Sequence, residues 1–402
     1  MQGGNKVESI KGKVAIIGTA MTPFGGLYDK SVEDLAQEVF INCVKSVDKG
    51  IDPKEIKAGW IGSIGMDLLI PGGMSGSWLT TQMGNADIPI TRVCDGCITG
   101  GDTLRQAVIG IATGLYDVVI ALGAEKMTEK TASDLLMPLG GELLGFNPYW
   151  IWGMTAPATQ ALYATRQMYE FGYTMEMFAR VAVKNHRNGK RCPYAYYRHE
   201  VTIEEVLKSP LVCWPLHLLD CCPQTDGAAA AILCRADLAK KYTDKPVYVL
   251  GSNVGVDYAL YWDKANFIEL PATIRAARGA FEMAGVKPAE VDLAETHDCF
   301  TNTELLNIED IGFCKKGGAG PLVMEGEFDI GGRIPVGPSG GLKTHGHPIG
   351  ATGLFQICEC FWQLREEAGE RQVKIDRGIA LQHNVGGAGF ADSCVTILSR
   401  SA

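Results

Sequence analysis

No apolar run in the 402 residues approaches the length of a membrane span, which argues against a helix crossing a bilayer. Positive charge is in deficit. Lys and Arg number 37 against 46 Asp and Glu, for a net charge of -9, so the broad basic footprint expected of a nucleic-acid binder is missing. Residues 1–13 are mostly polar, so no secretory leader is expected there, and the final Ser-Arg-Ser-Ala is not expected to act as a peroxisomal address. The 13 cysteines are odd in number and lack the spacing of a disulfide framework. These absences lead us to expect a cytoplasmic protein in a reducing setting, with neither membrane nor nucleic acid among its partners.

What the chain has in plenty is glycine. There are 49, gathered in GG and GxG runs that suit tight turns and close backbone approach. The hydrophobic share of 46% and charged share of 21% are those of a globular protein, and the length calls for two or three packed units. One local basic stretch stands out: Lys184, Arg187, Lys190, Arg191 and Arg198. Two readings stay open for it, a solvated helix face or a contact for a phosphorylated ligand.

Strand and helix patterns alternate. Residues 14–18 (VAIIG) read as a buried strand. Residues 31–47 read as a helix capped by Ser31, with Leu35, Val39, Ile41, Val44 and Val47 on its stripe. A strand at 56–64, a helix at 100–114 and a strand at 117–123 follow, giving an α/β class. The second half repeats the plan. IDPKEI at 51–56 matches VKPAEV at 286–291, and each leads into a strand. The helical stripe at 354–364 and the strand at 378–385 echo the earlier helix and strand, so we read an internal duplication. The expected division is 1–125 and 225–245 for the first half, an insertion at 126–224, and 246–402 for the second half.

Four places offer chemistry. Cys97 precedes a helix, where free N–H groups and a partial positive charge favour a thiolate. Taken alone it is more often a small packed residue. With Cys94 it forms a C-x-x-C, but two further ligands at zinc spacing are missing, so no metal is expected. Next comes His297-Asp298-Cys299-Phe300, at the end of a strand, where α/β folds place polar chemistry. The third is the glycine-rich stretch 337–353, which holds Ser339, Gly340, His345 and His347 but no Walker lysine pattern. His345 reads as a surface or supporting residue. The fourth is His383-Asn384-Val385-Gly386-Gly387, able to lend a backbone N–H to an oxyanion or to serve as a plain turn.

The order of these four motifs resembles the thiolase superfamily over nearly the whole chain. The HDCF form and the His383-Asn384 pair resemble the sterol-carrier-protein-type thiolases (acetyl-CoA C-acyltransferases) and their bacterial and archaeal relatives. The resemblance implies a thiolase fold: duplicated βαβαβαββ halves in five α-β-α-β-α layers, an inserted loop domain, and a homodimer. It implies Cys97 as nucleophile, His347 as its base, and Cys299 as the acid/base at the alpha carbon. His297 and His347 then form one oxyanion hole, and the N–H groups of Cys97 and Gly386 a second. Ser339 and Gly340 fall in the segment expected to bind coenzyme A or substrate, although Gly337 stands where relatives often carry Asn.

The implied reaction is thiolysis of a 3-oxoacyl-CoA, or its reverse Claisen condensation, with coenzyme A as substrate and no bound cofactor. Relatives of this branch often work with a small zinc-ribbon/OB-fold subunit, so such a partner is considered, as is a mainly structural role for the chain. A decarboxylating condensing enzyme of the same fold is a further alternative, disfavoured by Cys299. Phe146, Tyr149, Trp150 and Trp152 suit either core or a pocket for a bulky acyl group. The substrates weighed are therefore a benzoylsuccinyl-type CoA ester of anaerobic aromatic degradation and acetoacetyl-CoA.

Overall fold

The computed structural model describes residues 9–65, 76–84, 87–129 and 154–402. The aromatic quartet at 146–152 lies outside them. The strands are β1 (Val14–Met21), β2 (Ala58–Gly62), β3 (Ile90–Val93), β4 (Val118–Glu125), β5 (Leu211–Cys213), β6 (Leu216–His217), β7 (Gly227–Arg235), β8 (Val247–Val256), β9 (Leu293–Glu295), β10 (Ile379–Gly386) and β11 (Asp392–Ser399). Nine of them form one mixed sheet in the order β3-β2-β4-β7-β1-β8-β11-β10-β9.

That order is a mirror. Outward from the middle, β1, β7, β4 and β2 on one side answer β8, β11, β10 and β9 on the other. The counterpart of β3 is reduced to a single parallel bridge between Ala294 and Val336. The two sides meet where β1 pairs antiparallel with β8, Val14 opposite Val249. The matched segments IDPKEI and VKPAEV each become a short 3-10 turn, Pro53–Glu55 and Pro288–Glu290, leading into β2 and β9.

Helices complete the layers. Ser31 caps the Val32–Lys45 helix with a reciprocal bond to Asp34, and Leu35, Ala36, Val39 and Phe40 are buried against β1 and β7. Ile41, placed on the stripe by the sequence reading, is exposed: it follows Val39 by two residues, which turns it away from the face of Leu35, Val39 and Cys43. The Pro271–Ala284 helix covers β8 and β11 in the corresponding place.

Between the halves run the Thr99–Ala112 and Ile349–Arg365 helices, each touching strands from both sides. Ile349–Arg365 is buried almost all round, as its apolar sequence requires. The two cross at glycine, where a Cβ on Gly100 would lie 2.6 Å from the Gly353 amide nitrogen. Only residues without side chains permit that approach. Because the crossing is near both N-termini, the residues just before each helix, Cys97 and His347, are brought side by side.

Within 154–220 the Ala156–Phe171, Met175–Gly189 and Ile203–Lys208 helices and the β5–β6 hairpin form a separate texture. The basic stretch there is largely spoken for. Lys184 is fully buried and donates to Asn185 Oδ1 (2.6 Å) and the Val336 carbonyl (2.5 Å), with Glu304 at 3.0 Å. Arg187 pairs with Asp329 (2.8 Å) and Lys190 with Glu200 (2.8 Å). Only Lys184 is thereby removed from the phosphate-binding reading, being paired inside the fold, while Arg187 and Lys190 are paired nearer the surface. Among the described residues, no helix is long and apolar enough to cross a membrane.

Candidate active site

The Cys97 turn is built by its neighbours. Gly96 takes a left-handed φ of 48°, the Thr99 hydroxyl donates to the Gly96 carbonyl (2.7 Å), and the Asp95 N–H donates back to that hydroxyl (2.8 Å). The helix starts at Thr99, leaving Cys97 half-buried at its mouth. Cys94 is exposed, so the C-x-x-C spacing does not give two equivalent thiols.

His347 enters from the second half after Gly346, whose φ is 86°, and its N–H donates to the Pro223 carbonyl (3.2 Å). His297 follows β9. Its carbonyl accepts from Asn307 (2.8 Å) and its N–H reaches His383 Nδ1 (3.4 Å). The Cys97 sulfur and a ring nitrogen from each of His297 and His347 lie within 4.8 Å of one another. The two rings meet edge to face, 4.9 Å between centroids at 84°. Both Nε2 atoms are buried without a hydrogen-bond partner among the described residues. Two unpartnered polar atoms on rings gathered at one thiol mark a place where a reacting group belongs.

Gly386 closes the other side. A Cβ built on it would lie 2.8 Å from the Cys97 sulfur. The N–H of Gly387, which the sequence reading did not single out, points at the same sulfur and favours its thiolate. Cys299 is buried nearby, with its thiol pushed well up by burial and by the proximity of Cys222, Cys97 and Asp298. Cys222, also unforeseen, sits against it: its N–H donates to the Cys299 carbonyl (2.9 Å). No local motif marks Cys222. Only the antiparallel bridge of Cys221 to Phe300 brings it there.

The electrostatics correct one expectation. A helix start was expected to lower the Cys97 pKa, but burial pushes the thiol up to about 11, Asp392 adds to the rise, and the Gly387 N–H only partly opposes them. Burial likewise holds His347 down at about 3. His297 is also held low, by burial first and then by His347 and His383. The resting site is therefore a neutral thiol beside two neutral imidazoles. Loss of water outweighs the helix dipole.

Ser339 and Gly340 are not brought to this cluster. The Ser339 hydroxyl and N–H both donate to Glu295 (2.9 Å each), and Gly340 lies against the backbone of Gly189. Asp298 braces the same loop. Its carboxylate accepts from Leu342 N–H (2.7 Å), Lys343 N–H (3.2 Å) and Asn185 (2.7 Å). His345, read as either a surface or a supporting residue, is fully buried, which leaves the supporting role. It stacks on Phe355 at 4.8 Å and bonds the Gly341 carbonyl (3.0 Å), so it packs the core beneath the site.

Comparison with known proteins now decides the family. The family model described as Thiolase, N-terminal domain, matches residues 14–237, and Thiolase C-terminal domain-like matches residues 255–400. This chain belongs to the thiolase family. The thiolase is 42% identical over 389 residues to an acetyl-CoA acetyltransferase of Methanothermobacter thermautotrophicus, covering 96% of this chain and 99% of that one. It is 35% identical to sterol carrier protein 2 of Gallus gallus, over 95% of this chain and 71% of the other. The benzoylsuccinyl-CoA thiolase subunit BbsB of Thauera aromatica is 32% identical, with 93% and 95% covered. Among solved structures, an Ltp2-ChsH2(DUF35) aldolase superposes with a TM-score of 0.82 at 23% identity, covering 98% of this thiolase and all of that chain, which supports the fold alone. The expected superfamily, thiolase fold and acyltransferase class are borne out.

Proposed function

We propose that this thiolase cleaves a 3-oxoacyl-CoA with coenzyme A, or runs the reverse condensation, through an acyl group carried on Cys97. The observation that carries the reading is the cluster of the Cys97 sulfur with one nitrogen each from His297 and His347, both Nε2 atoms lacking partners. In cleavage His347 takes the thiol proton as the sulfur attacks the 3-keto carbon. The bond between the alpha and 3-carbons then breaks, and its electron pair passes to the leaving thioester as an enolate. His297 and the newly protonated His347 face that enolate oxygen, and donors fixed in advance lower its cost. Cys299 protonates the alpha carbon and is left as thiolate. That thiolate takes the proton of incoming coenzyme A, whose sulfur attacks the acyl group, and the released Cys97 recovers its proton from His347.

The high thiol pKa of Cys299 suits a group that must hold its proton until a carbanion-like carbon is presented. Gly386 and the Cys97 N–H are assigned to the hole for the acyl oxyanion, and the segment of Ser339 and Gly340 to binding coenzyme A or substrate. No metal and no bound cofactor take part. The divisions at 125, 224 and 245 remain our proposed domain boundaries, and a homodimer in the cytoplasm our proposed state.

For substrate we propose a bulky or aromatic 3-oxoacyl-CoA of the benzoylsuccinyl type. The BbsB relative supports it by name. Acetoacetyl-CoA is the second reading, favoured by the acetyl-CoA acetyltransferase of Methanothermobacter, which is more similar to this chain. The aldolase structure, whose name includes a DUF35 component, favours testing a small partner subunit. Thiolysis rates across short, branched and aromatic 3-oxoacyl-CoA esters, with and without such a subunit, decide among them. Cleavage of none would overturn the proposed activity.

A further inference from the structure

We infer that Thr352 and Asn384 hold the two site histidines in opposite tautomers, so that His347 offers a bare Nε2 to Cys97 while His297 offers an Nε2–H to the substrate. The inference rests on the thiolase reading of the site and assigns Thr352 and Asn384 as positioning residues within it.

Each tautomer is fixed by a backbone carbonyl, which can only accept. The Pro348 carbonyl one turn back accepts from the Ala351 and Thr352 N–H groups (2.9 and 3.0 Å) and lies 3.0 Å from the Thr352 oxygen, and the single hydroxyl proton of Thr352 is assigned to it. With that proton given away, the same oxygen can only accept from His347 Nδ1, 2.7 Å distant. The Nδ1 of His347 therefore carries the ring's single proton, and its Nε2 is left with a lone pair.

A chain of amides does the opposite for His297. The Thr296 carbonyl accepts from Gln356 Nε2 (3.0 Å), which fixes which end of that amide is oxygen. Gln356 Oε1 then accepts from Asn384 Nδ2 (2.7 Å) and from Gln382 Nε2 (3.1 Å). Gln382 Nε2 also donates to Asn384 Oδ1 (2.9 Å), so the Asn384 amide cannot be turned over. Its Nδ2 faces His297 Nδ1 at 3.4 Å and can only donate. A neutral His297 must carry its proton on Nε2. Burial keeps both rings neutral at rest.

One consequence is an order of events. At rest His297 alone can donate into the enolate hole. His347 becomes a donor there only after it has taken the Cys97 proton. The hole is thus completed by the step that makes it necessary, and an enolate is not stabilised by both histidines until the thiol has reacted.

Nitrogen-15 NMR of the histidine-labelled full chain near neutral pH reads the tautomers directly, the signals being assigned by their loss in His297→Asn and His347→Asn. The expected result is a proton on Nε2 of His297 and on Nδ1 of His347. The same tautomer in both rings, or the reverse pair, overturns the inference. Two kinetic readouts follow it. Thr352→Val should slow carbamidomethylation of Cys97 about a hundredfold, with Thr352→Ser restoring it. Asn384→Ala should slow exchange of the alpha protons of an acyl-CoA with solvent while sparing that alkylation. Equal loss of both readouts in both variants would mean a merely structural role and overturn the assignment. A wild-type chain with the expected tautomers that cleaves no 3-oxoacyl-CoA would sink the proposed function and leave the tautomer assignment standing.

Discussion

Gly386 faces Cys97 with no room for a side chain between them: a Cβ on the glycine would stand 3.0 Å from the cysteine Cα and closer still to its Cβ. The residue ends β10 in the second half, whereas Cys97 opens a helix in the first, so this approach fixes the distance between the halves at the nucleophile. Gly386→Ala should displace Cys97 and lower kcat by about a hundredfold, as a misplacement near an ångström does. Stability should fall by only about 1–3 kcal/mol, the usual cost of overpacking. Thiolysis rates and denaturant unfolding of the purified variant check both. Wild-type kcat in this variant would contradict the geometry.

The pH dependence of Cys97 alkylation has a definite sign. Its pKa is raised to about 11, so at pH 7 the thiol is protonated, and the reactive fraction climbs about tenfold per pH unit towards that value. The rate of reaction with iodoacetamide should therefore keep rising through the alkaline range. A plateau already reached near pH 6 would show a preformed thiolate and contradict the account. Asp392 contributes to the rise through its negative charge. Asp392→Asn should speed alkylation at neutral pH. Asp392 itself is pushed up to about 6, so the difference between variant and wild type should vanish as pH falls through that value and the wild-type carboxyl becomes neutral.

Lys184 and Glu304 are both fully buried, 3.0 Å apart, and Asn185 bridges Glu304 (2.8 Å) to Asp298 (2.7 Å). Lys184→Met leaves the Glu304 charge buried without its partner, which should cost about 3–5 kcal/mol. The double variant with Glu304→Gln should recover most of that loss. Urea unfolding of the three proteins tests this, and a single variant as stable as wild type would refute a structural role for Lys184.

The sequence made the architecture legible because each half must bury the same surfaces and so repeats the same periodicities. The paired IDPKEI and VKPAEV turns are the clearest case, since both become 3-10 turns ahead of equivalent strands. Ile41 shows the limit: it is apolar and sits among the stripe residues in sequence, but two positions after Val39 the helix has turned it away from the buried face that continues to Cys43. Of the site, Cys97 and the glycines could be read locally, because a turn before a helix and a close approach leave marks in composition. Lys184 could not, for a charge run looks the same whether its members are solvated or paired inside. Nor could the Cys97 pKa, since the helix start is visible in the sequence and the burial that outweighs it is not. Asn384 could be read as part of a motif, but neither its positioning role nor that of Thr352 carries a sequence signal. Their importance comes from which carbonyl each amide or hydroxyl has already satisfied.

The division of labour between two thiols is the central claim, and mass spectrometry of the enzyme quenched during turnover with a cleavable 3-oxoacyl-CoA tests it most directly. The account predicts an acyl group on Cys97 alone, absent in Cys97→Ala, and present in Cys299→Ala once that variant is loaded from the saturated acyl-CoA product. Alpha-proton exchange should be lost in Cys299→Ala. An acyl group recovered on Cys94 or Cys299 would contradict it.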